Sequence, residues 1–373
     1  KYRPTLYDFL AFEAIHFYAS GEQAGAKPQD AFEITPDMPI FDSLDDFLAW
    51  QPQTTDRNSP NYKAIRLFQK LLSFHRQDKD PSALLDADLH RLRFGWNQAA
   101  GPDKNRRYKA ALERFITAQE KHELSALARY QLAEVLYEEG DWTQAREIAL
   151  QAQRSFPKSA GDQLAKGLIV RIEAKEAQVN TERVWTEAGA DITLTYRNLT
   201  EAHICIVPDD FVRALQRQRW SPNHLEEHEI KALLQHKNAR RFRHVLPPTP
   251  DYKPRTEKIS TPKDLKPGFY RIFVGFDPDF RSWLGYTSVF VSELAIVERQ
   301  NQYTSVAEGL VVHAREGTPI AGAQIEAWQH GQQGGWFKVD AQTVTDPQGR
   351  YSLPLGVGNY ILLVRHRDQF LAS

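Results

Sequence analysis

Apolar residues recur with a helical period over roughly the first 178 residues of the chain. They fall at i, i+3, i+4 and i+7, which places them on one face of a helix. Beyond a helix pair at 125–159, the pattern predicts helices over 5–20, 44–50, 62–75, 81–96, 107–119 and 163–177. The first helix is apolar around most of its circumference, so we expect it to be buried on more than one side.

Residues 125–159 have the length and residue pattern of one tetratricopeptide repeat. Large and small apolar residues follow two helices, and Gly140-Asp141 separates them. Gly140 can adopt the left-handed conformation that ends a helix, and Pro157 stops the second helix. Because one helix pair cannot bury its apolar face alone, neighbouring helices are expected to stack on it. The sequence therefore predicts an all-helical, repeat-like domain over residues 1–178.

After residue 178 the apolar period changes from 3.6 to 2, with the β-branched and aromatic enrichment typical of strands. Residues 211–236 are predicted to form a helical insertion between strands. Strands are predicted over 181–187, 191–197, 202–207, 242–246, 255–260, 268–275 and 286–297. A β-sandwich over 179–300, of about 120 residues, fits the usual size of that architecture.

A second, smaller β-sandwich is predicted over 301–373. Its turns are Gly317-Thr318-Pro319 and Asp346-Pro347-Gln348-Gly349, where proline presets φ and glycine accepts a positive φ. The predicted strands are 307–314, 323–328, 336–345, 351–354 and 359–365, and one more is expected to be needed. The predicted fold class is thus multidomain, α then β: a repeat-like antiparallel helical domain followed by two antiparallel β-sandwiches.

Composition narrows the classes of function. A chain of 373 residues is long enough for two or three domains. The 47 Lys and Arg against 48 Asp and Glu give a net charge of -1, so the whole chain has no electrostatic bias toward nucleic acid. One cysteine, Cys205, excludes an internal disulfide and a cysteine-based zinc cluster. Because no run of about 18 apolar residues occurs, no membrane-spanning helix is predicted.

The sharpest match to a catalytic motif is His224-Leu225-Glu226-Glu227-His228, which fits H-x-x-E-H. If this segment is helical, its two histidines share one face and could ligate a metal ion. A zinc-peptidase domain, however, does not fit inside a sandwich insertion, and the neighbouring charges indicate a solvated helix. A zinc hydrolase acting through His224, Glu227 and His228 is therefore the remote alternative.

For three other features a structural role is favoured over a chemical one. Ser20-Gly21-Glu22-Gln23 matches the Cys-Gly-Glu-Gln thioester motif, but serine stands where sulfur is required, so a helix cap is favoured. Cys205 lies in an apolar run, where a thiol behaves as a small buried hydrophobe. The basic run at 237–244 could contact phosphate, yet an edge strand kept soluble by its charge is favoured.

Aromatic residues cluster in the last predicted sandwich. Trp328, Trp336, Tyr351 and Tyr360 could form a face on which a sugar ring stacks. Aromatics in a small sandwich are more often part of the core. Exposed, adjacent Trp328 and Trp336 would favour a carbohydrate- or peptide-binding module of the cell surface, which stays open as the alternative function.

Three stretches carry a resemblance to a known family. Residues 2–10, YRPTLYDFL, are similar to its helical opening, and residues 265–274, LKPGFYRIFV, resemble a strand of a macroglobulin domain. Residues 318–325 and 345–351 resemble the carboxypeptidase regulatory-like sandwich found beside such domains. As fragments of a pattern across most of the chain, these stretches resemble the N-terminal part of bacterial alpha-2-macroglobulin family proteins of the Bacteroidetes type.

The resemblance implies the non-catalytic scaffold portion of a protease-trapping inhibitor. The repeat pattern itself predicts that the helical domain mediates protein–protein or interdomain contacts, docking a partner or bracing the first sandwich through a concave face. The resemblance also implies proteases or other envelope proteins, and later domains of the same chain, as partners. Charge and hydropathy, as above, predict neither a nucleic-acid partner nor a membrane-spanning segment. The resemblance further implies a periplasmic or cell-envelope location after removal of a signal peptide or lipoprotein signal. Because the family's bait region and thioester belong to later domains, no catalytic, cofactor-binding or metal-binding residue is carried over.

Overall fold

A computed structural model describes residues 1–20, 29–217, 221–301, 306–332 and 334–373. The chain divides into two compact units, Lys1–Glu173 and Ala174–Ser373. The first is helical, and the second contains mostly antiparallel sheets packed as two sandwiches. The predicted fold class, helices followed by β-sandwiches, is confirmed. In the ranges given above, no helix combines the length and hydropathy needed to cross a membrane.

The described part of the first unit contains helices close to those predicted. They are α1 (Leu6–Ala19), α2 (Leu44–Ala49), α3 (Pro60–His75), α4 (Ser82–Gln98), α5 (Lys104–Ala118), α6 (Leu124–Glu138), α7 (Trp142–Ser155) and α8 (Ala160–Glu173). A short 3-10 turn, Pro39–Phe41, precedes α2.

The segment predicted as a repeat forms the helix pair α6 and α7. Gly140 separates the helices with φ 82°, and the Asp141 side chain caps α7 by accepting from the backbone N–H of Gln144. Helix α8 stacks on this pair: a Cβ placed on Gly161 would lie 2.4 Å from the carbonyl carbon of Ala126 in α6. The stacking follows the expectation, while the assignment to the tetratricopeptide family stays a prediction.

Helix α1 begins as predicted but is packed differently. Thr5 caps it, and the Asp8 side chain accepts from the Thr5 backbone N–H in return. Phe12 and Ile15 are buried on the face that packs on α3, but the opposite face is exposed to solvent. The expectation that α1 is buried on more than one side is wrong, because in the described residues only one of its apolar faces meets neighbouring helices.

The first sandwich uses β1 (Glu176–Asn180), β2 (Val184–Trp185), β3 (Asp191–Arg197), β4 (Glu201–Asp209), β5 (Arg240–Val245), β6 (Arg255–Ser260), β7 (Gly268–Gly275) and β8 (Trp283–Val291). A sheet in the order β1-β3-β6 faces one in the order β2-β8-β7-β4-β5. The β2–β8 pair is parallel and the others are antiparallel. Trp185, Ile192, Ile204 and Ile272 lie in the core between the sheets.

The insertion predicted as helical over 211–236 contains two short helices, α9 (Phe211–Arg217) and α10 (Glu227–Leu234). Between them, residues 221–226 are not helical. The buried guanidinium of Arg271 donates to the backbone carbonyls of Pro222 and Asn223, at 2.5 and 3.5 Å, so these oxygens serve a strand residue instead of a helix. Helix α10 covers the outer face of the five-stranded sheet over Cys205 and Phe273.

The second sandwich uses β9 (Leu294–Asn301), β10 (Val306–His313), β11 (Gln324–His330), β12 (Trp336–Val344), β13 (Arg350–Pro354), β14 (Tyr360–His366) and β15 (Gln369–Ala372). Its sheets have the orders β13-β10-β9 and β12-β11-β14-β15. Strands β9 and β15 were not assigned to it by the sequence pattern.

The strand predicted over 286–297 is divided between two sheets. The Ser292 backbone N–H donates to the Trp185 carbonyl, and the Ser292 hydroxyl accepts from the Leu294 N–H at 3.2 Å. The chain therefore leaves the first sandwich at Ser292, and the second sandwich begins at Leu294, ahead of the predicted boundary at residue 301.

An aromatic cluster joins the two sandwiches into one unit. The ring centroid of Phe290 lies 4.8 Å from that of Phe269, 5.2 Å from that of Phe211 and 5.8 Å from that of Phe370. Phe290, Phe269 and Phe211 belong to the first sandwich and its insertion, whereas Phe370 belongs to β15 of the second. The same buried cluster continues into the interior of the second sandwich.

Candidate functional site

The exposed face of α1 carries more large exposed apolar side chains than any other described element. Leu6 is 72% exposed, Leu10 is 56% exposed and Phe17 is 54% exposed. The α1 patch is defined here as Leu6, Tyr7, Phe9, Leu10 and Phe17 together with Phe74 of α3. Tyr7 and Phe74 are in edge contact, with ring centroids 5.1 Å apart, so the patch continues from one helix to the next.

The size of the α1 patch sets it apart from scattered surface residues. Large aromatic side chains present about 150–250 Å² each, so six large side chains that are on average half exposed give roughly 500 Å². Soluble monomers rarely expose contiguous apolar patches larger than a few hundred Å², and those that do usually bind something there. The patch therefore has the size of a docking surface.

A buried ionic group fixes α1 beneath this patch. His75 of α3 lies between two carboxylates, with Nε2 2.5 Å from Asp8 Oδ1 and Nδ1 2.6 Å from Asp78 Oδ2. Burial lowers the pKa of His75, but the two carboxylates outweigh it and the pKa is raised. Burial raises the pKa of Asp8, but hydrogen bonds from Thr5 and His75 outweigh it and the pKa is lowered. The charged pair anchors α1 to α3.

Two further titratable groups, Asp86 and His90, lie under the N-terminal arm, which is the non-helical segment 1–4 ahead of α1. Burial raises the pKa of Asp86 to about 6, and Arg3, 4.0 Å away, opposes that rise. Burial lowers the pKa of His90 to about 4. The Arg3 guanidinium lies 3.9 Å from the centroid of the Phe12 ring, which in turn packs edge-on against His90. These shifts follow from packing beneath the arm, so we assign the two groups to the α1 anchor.

The H-x-x-E-H residues do not share a helical face. Helix α10 begins at Glu227, so His224 lies ahead of it, and the expectation that both histidines lie on one helix is wrong. His224, Glu227 and His228 are exposed; Glu227 pairs with Lys231 at 2.6 Å and His228 lies 3.3 Å from Glu226. The described residues contain no group of three His, Cys, Asp or Glu side chains that could hold a metal ion.

The aromatic residues of the second sandwich are mainly core. Trp328 and Tyr351 are buried, while Trp336 and Tyr360 are half-buried. Trp328 and Trp336 are therefore not an exposed pair, and the condition for a sugar-stacking face is not met.

Two other sequence features can be placed. Cys205 is fully buried, and burial raises the pKa of its thiol. The basic run overlaps β5, which is an edge strand as expected. Gly21, Glu22 and Gln23 of the thioester-like segment lie outside the described residues.

Sequence reasoning missed the α1 patch and its anchor, although one signal was present. Glu13 and His16 fall among the apolar positions of α1, and both are exposed. Charged or titratable residues on two consecutive turns are unfavourable in a helix that is buried on all sides. The contact between Asp8 and His75 joins residues far apart in sequence and leaves no local pattern.

No protein-family model matches the chain, and no curated protein matches it. Among solved structures, it is similar to native alpha-2-macroglobulin from Escherichia coli spanning domains MG0-NIE-MG1, at 14% identity and a TM-score of 0.38, over 53% of this chain and 64% of that one. A structure of domains NIE-MG1 of the same protein matches at 13% identity and a TM-score of 0.39, over 53% of this chain and 96% of that one. A Salmonella alpha-2-macroglobulin mutant matches at 15% identity and a TM-score of 0.33, over 53% of this chain and 12% of that one.

These structural neighbours are bacterial alpha-2-macroglobulins at low identity over half of the chain. The chain spans 64% of the three-domain fragment and 12% of the longer Salmonella protein.

Proposed function

We propose that this chain is a non-catalytic docking scaffold, and that the helical unit binds another protein surface through the α1 patch. The patch is the single observation that carries this function. Its side chains are apolar and exposed, and Tyr7 and Phe74 are in direct contact. Covering the patch would remove roughly 500 Å² of apolar surface from water, and each Å² contributes about 25 cal/mol.

The anchor beneath α1 supports a docking role for the patch. A surface that is already ordered loses less conformational entropy on binding than a mobile one. Asp8 and His75 tie the helix to α3, and the capping box at Thr5 orders its first turn. The α1 patch would thus meet its partner preorganised.

The three stretches that resemble alpha-2-macroglobulins support a proposal for the larger protein in which this scaffold acts. On that basis the chain is the scaffold portion of an alpha-2-macroglobulin-like protease-trapping protein of the bacterial envelope. Its partners would be later domains of the same chain, proteases or other envelope proteins. The partner of the α1 patch would be one of these.

Photo-crosslinking of the full-length protein in its native host tests the docking role. A benzophenone amino acid replaces Phe17, and the matched control carries it at Phe337, which is 49% exposed on β12. We expect position 17 to crosslink to one discrete surface and Leu10→Asp to remove that crosslink, because a buried unpaired carboxylate would oppose docking. A later segment of the same chain, or an envelope protease, as the crosslinked partner would support the trap. Equal, diffuse crosslinking at both positions would show that the α1 patch has no partner.

A further inference from the structure

We propose that the free edge of β5 binds an acidic, extended peptide segment, which adds to the five-stranded sheet as a further strand. This site lies in the second unit and uses different residues from the α1 patch. The inference therefore goes beyond the proposed function and does not depend on it.

The backbone of β5 offers unpaired groups to such a segment. β5 is the last strand in the order β2-β8-β7-β4-β5, and in the described residues β4 is its one strand partner. The Leu246 N–H donates to the Thr200 carbonyl at 2.9 Å, and Val245 pairs opposite Glu201. Hydrogen-bonded pairs alternate along an antiparallel ladder. The N–H and C=O groups of Arg241, Arg243 and Val245 therefore point away from β4, toward the open edge.

The side chains of the same three residues specify the kind of peptide. Because side chains alternate between the faces of a strand, Arg241, Arg243 and Val245 share one face, and all three are exposed. Val245 is 67% exposed. On an added strand, the residues opposite them would be their nearest cross-strand neighbours. Acidic side chains suit the two arginines and an apolar side chain suits Val245, so an antiparallel segment would read apolar-x-acidic-x-acidic.

The two arginines differ in how strongly they are held: Arg243 has a weak exposed partner, whereas Arg241 already contacts α10 and the Phe280 ring. Arg243 lies 3.3 Å from Glu201 in an exposed ion pair, and such pairs are worth about 0–1 kcal/mol. Arg241 donates to the Leu234 carbonyl and lies over the Phe280 ring, 5.7 Å from its centroid. Exchanging the weak Glu201 pair for a peptide carboxylate held by a backbone ladder would be favourable.

An open basic cleft lies where the peptide would continue. Beyond Arg241, the surface is lined by Lys231, His236 and Lys237, with Asp279 as its acidic residue. In the antiparallel arrangement the C-terminal part of the peptide runs toward this cleft. A third acidic residue at that end of the peptide would meet further cations. The acidic end of the motif therefore lies on the side of the basic cleft.

The geometry favours a peptide over a nucleic acid. The outward N–H and C=O groups lie on three alternate residues, which is the spacing of a β-ladder. The main chain of a peptide can pair with groups at this spacing. A polynucleotide could use the cations but has no such ladder. Its binding would depend on charge alone and would fall steeply with salt.

Fluorescence anisotropy with the purified chain and a labelled peptide of the predicted pattern provides the test. A peptide of the same composition with its acidic residues moved by one position is the register control. We expect Arg243→Glu to weaken binding by about tenfold, because it replaces an attractive charge contact with a repulsive one. Arg240→Glu makes the same change in net charge, but its side chain lies on the other face and pairs with Asp264 at 2.8 Å, so binding should change less than about twofold.

The backbone ladder is tested separately from the charges. Val245→Pro removes one outward N–H while leaving every arginine in place, and proline is tolerated on an edge where that N–H faces solvent. We expect it to weaken binding by about tenfold. If this variant misfolds, hydrogen exchange of the wild-type Arg241, Arg243 and Val245 amides still decides, because the peptide should slow all three. Equal losses in Arg240→Glu and Arg243→Glu, or preferential binding of an oligonucleotide without amide protection, would overturn the proposal.

Discussion

At the scale of single residues, the buried Arg271 determines the path of the insertion. It lies on β7, where alternation with apolar neighbours hides its role, and it is fully buried beside Asp209, with Nε 2.9 Å from Oδ2. Burial lowers the pKa of Arg271, and the Asp209 carboxylate opposes this effect. Its hydrogen bonds to Pro222 and Asn223 hold the segment that leads into α10.

Arg271→Met should lower the free energy of unfolding by about 3–5 kcal/mol, because it leaves the Asp209 carboxylate buried without its partner. Urea denaturation measures the loss. The control Arg281→Met changes an arginine that is 83% exposed, and it should alter stability by less than about 0.5 kcal/mol. Adding Asp209→Leu to Arg271→Met should recover part of the loss; if both single and double variants match the wild type, Arg271 does not hold the insertion.

At the scale of elements, helix packing in the first unit depends on close approach of the backbones. Gly161 and Gly167 both lie in α8, yet their surroundings differ. A Cβ on Gly161 would lie 2.4 Å from backbone atoms of Ala126 and Leu127, whereas a Cβ on Gly167 would meet nothing within 4 Å. Substitution by alanine should therefore change the free energy of unfolding in opposite directions at these two positions.

Gly161→Ala should destabilise the protein by about 1–3 kcal/mol, because backbone atoms of α6 cannot move aside as a side chain can. Gly167→Ala should stabilise it by about 0.5–1 kcal/mol, since alanine loses less backbone entropy in a helix. Chemical denaturation of the two variants checks both signs in one experiment. A stabilising Gly161→Ala would mean that α8 does not approach α6 this closely.

The elements also show how far the sequence could lead. β3, β6 and β7 have the predicted bounds because each is an alternating or apolar run ended by turn residues. The division between β8 and β9 was missed. The only sequence signal is the pair Ser292-Glu293, which interrupts the apolar run by two residues, and the break depends on the bond from the Ser292 N–H to the Trp185 carbonyl, which joins distant parts of the chain. For the candidate site, the apolar residues of α1 were recognised. The period of the apolar residues alone, however, does not distinguish a face that packs on another helix from a face that is exposed.

At the scale of the whole molecule, the aromatic cluster around Phe290 makes the two sandwiches one cooperative body. Phe290 belongs to β8, yet its contacts include Phe370 of β15 in the second sandwich. The backbone N–H of Glu293 also donates to the Gln369 side chain at 2.9 Å, and Arg183 donates to the Ala372 carbonyl at 3.0 Å. Both sandwiches therefore gain stability from the same joint.

Phe290→Ala should lower the free energy of unfolding by about 3–5 kcal/mol and should destabilise both sandwiches together. Native-state hydrogen exchange checks this, because amides of β4 and β11 should lose protection by similar factors. Phe337→Ala, at an exposed position of β12, is the control and should leave both strands unchanged. Faster exchange confined to β4 would mean that the sandwiches open independently.

The thiol beneath α10 also gives this protein an intrinsic probe of local opening. Cys205 is the one cysteine of the chain and is fully buried against the helix, so an alkylating reagent can reach it only when α10 lifts from the sheet or the first sandwich unfolds. Each molecule that has opened gains a single covalent mass increment. When opening and closing are fast relative to alkylation, the labelling rate divided by that of a free thiol gives the equilibrium constant for opening. The stability of the layer that covers the sheet can thus be followed in the unmodified chain by mass spectrometry.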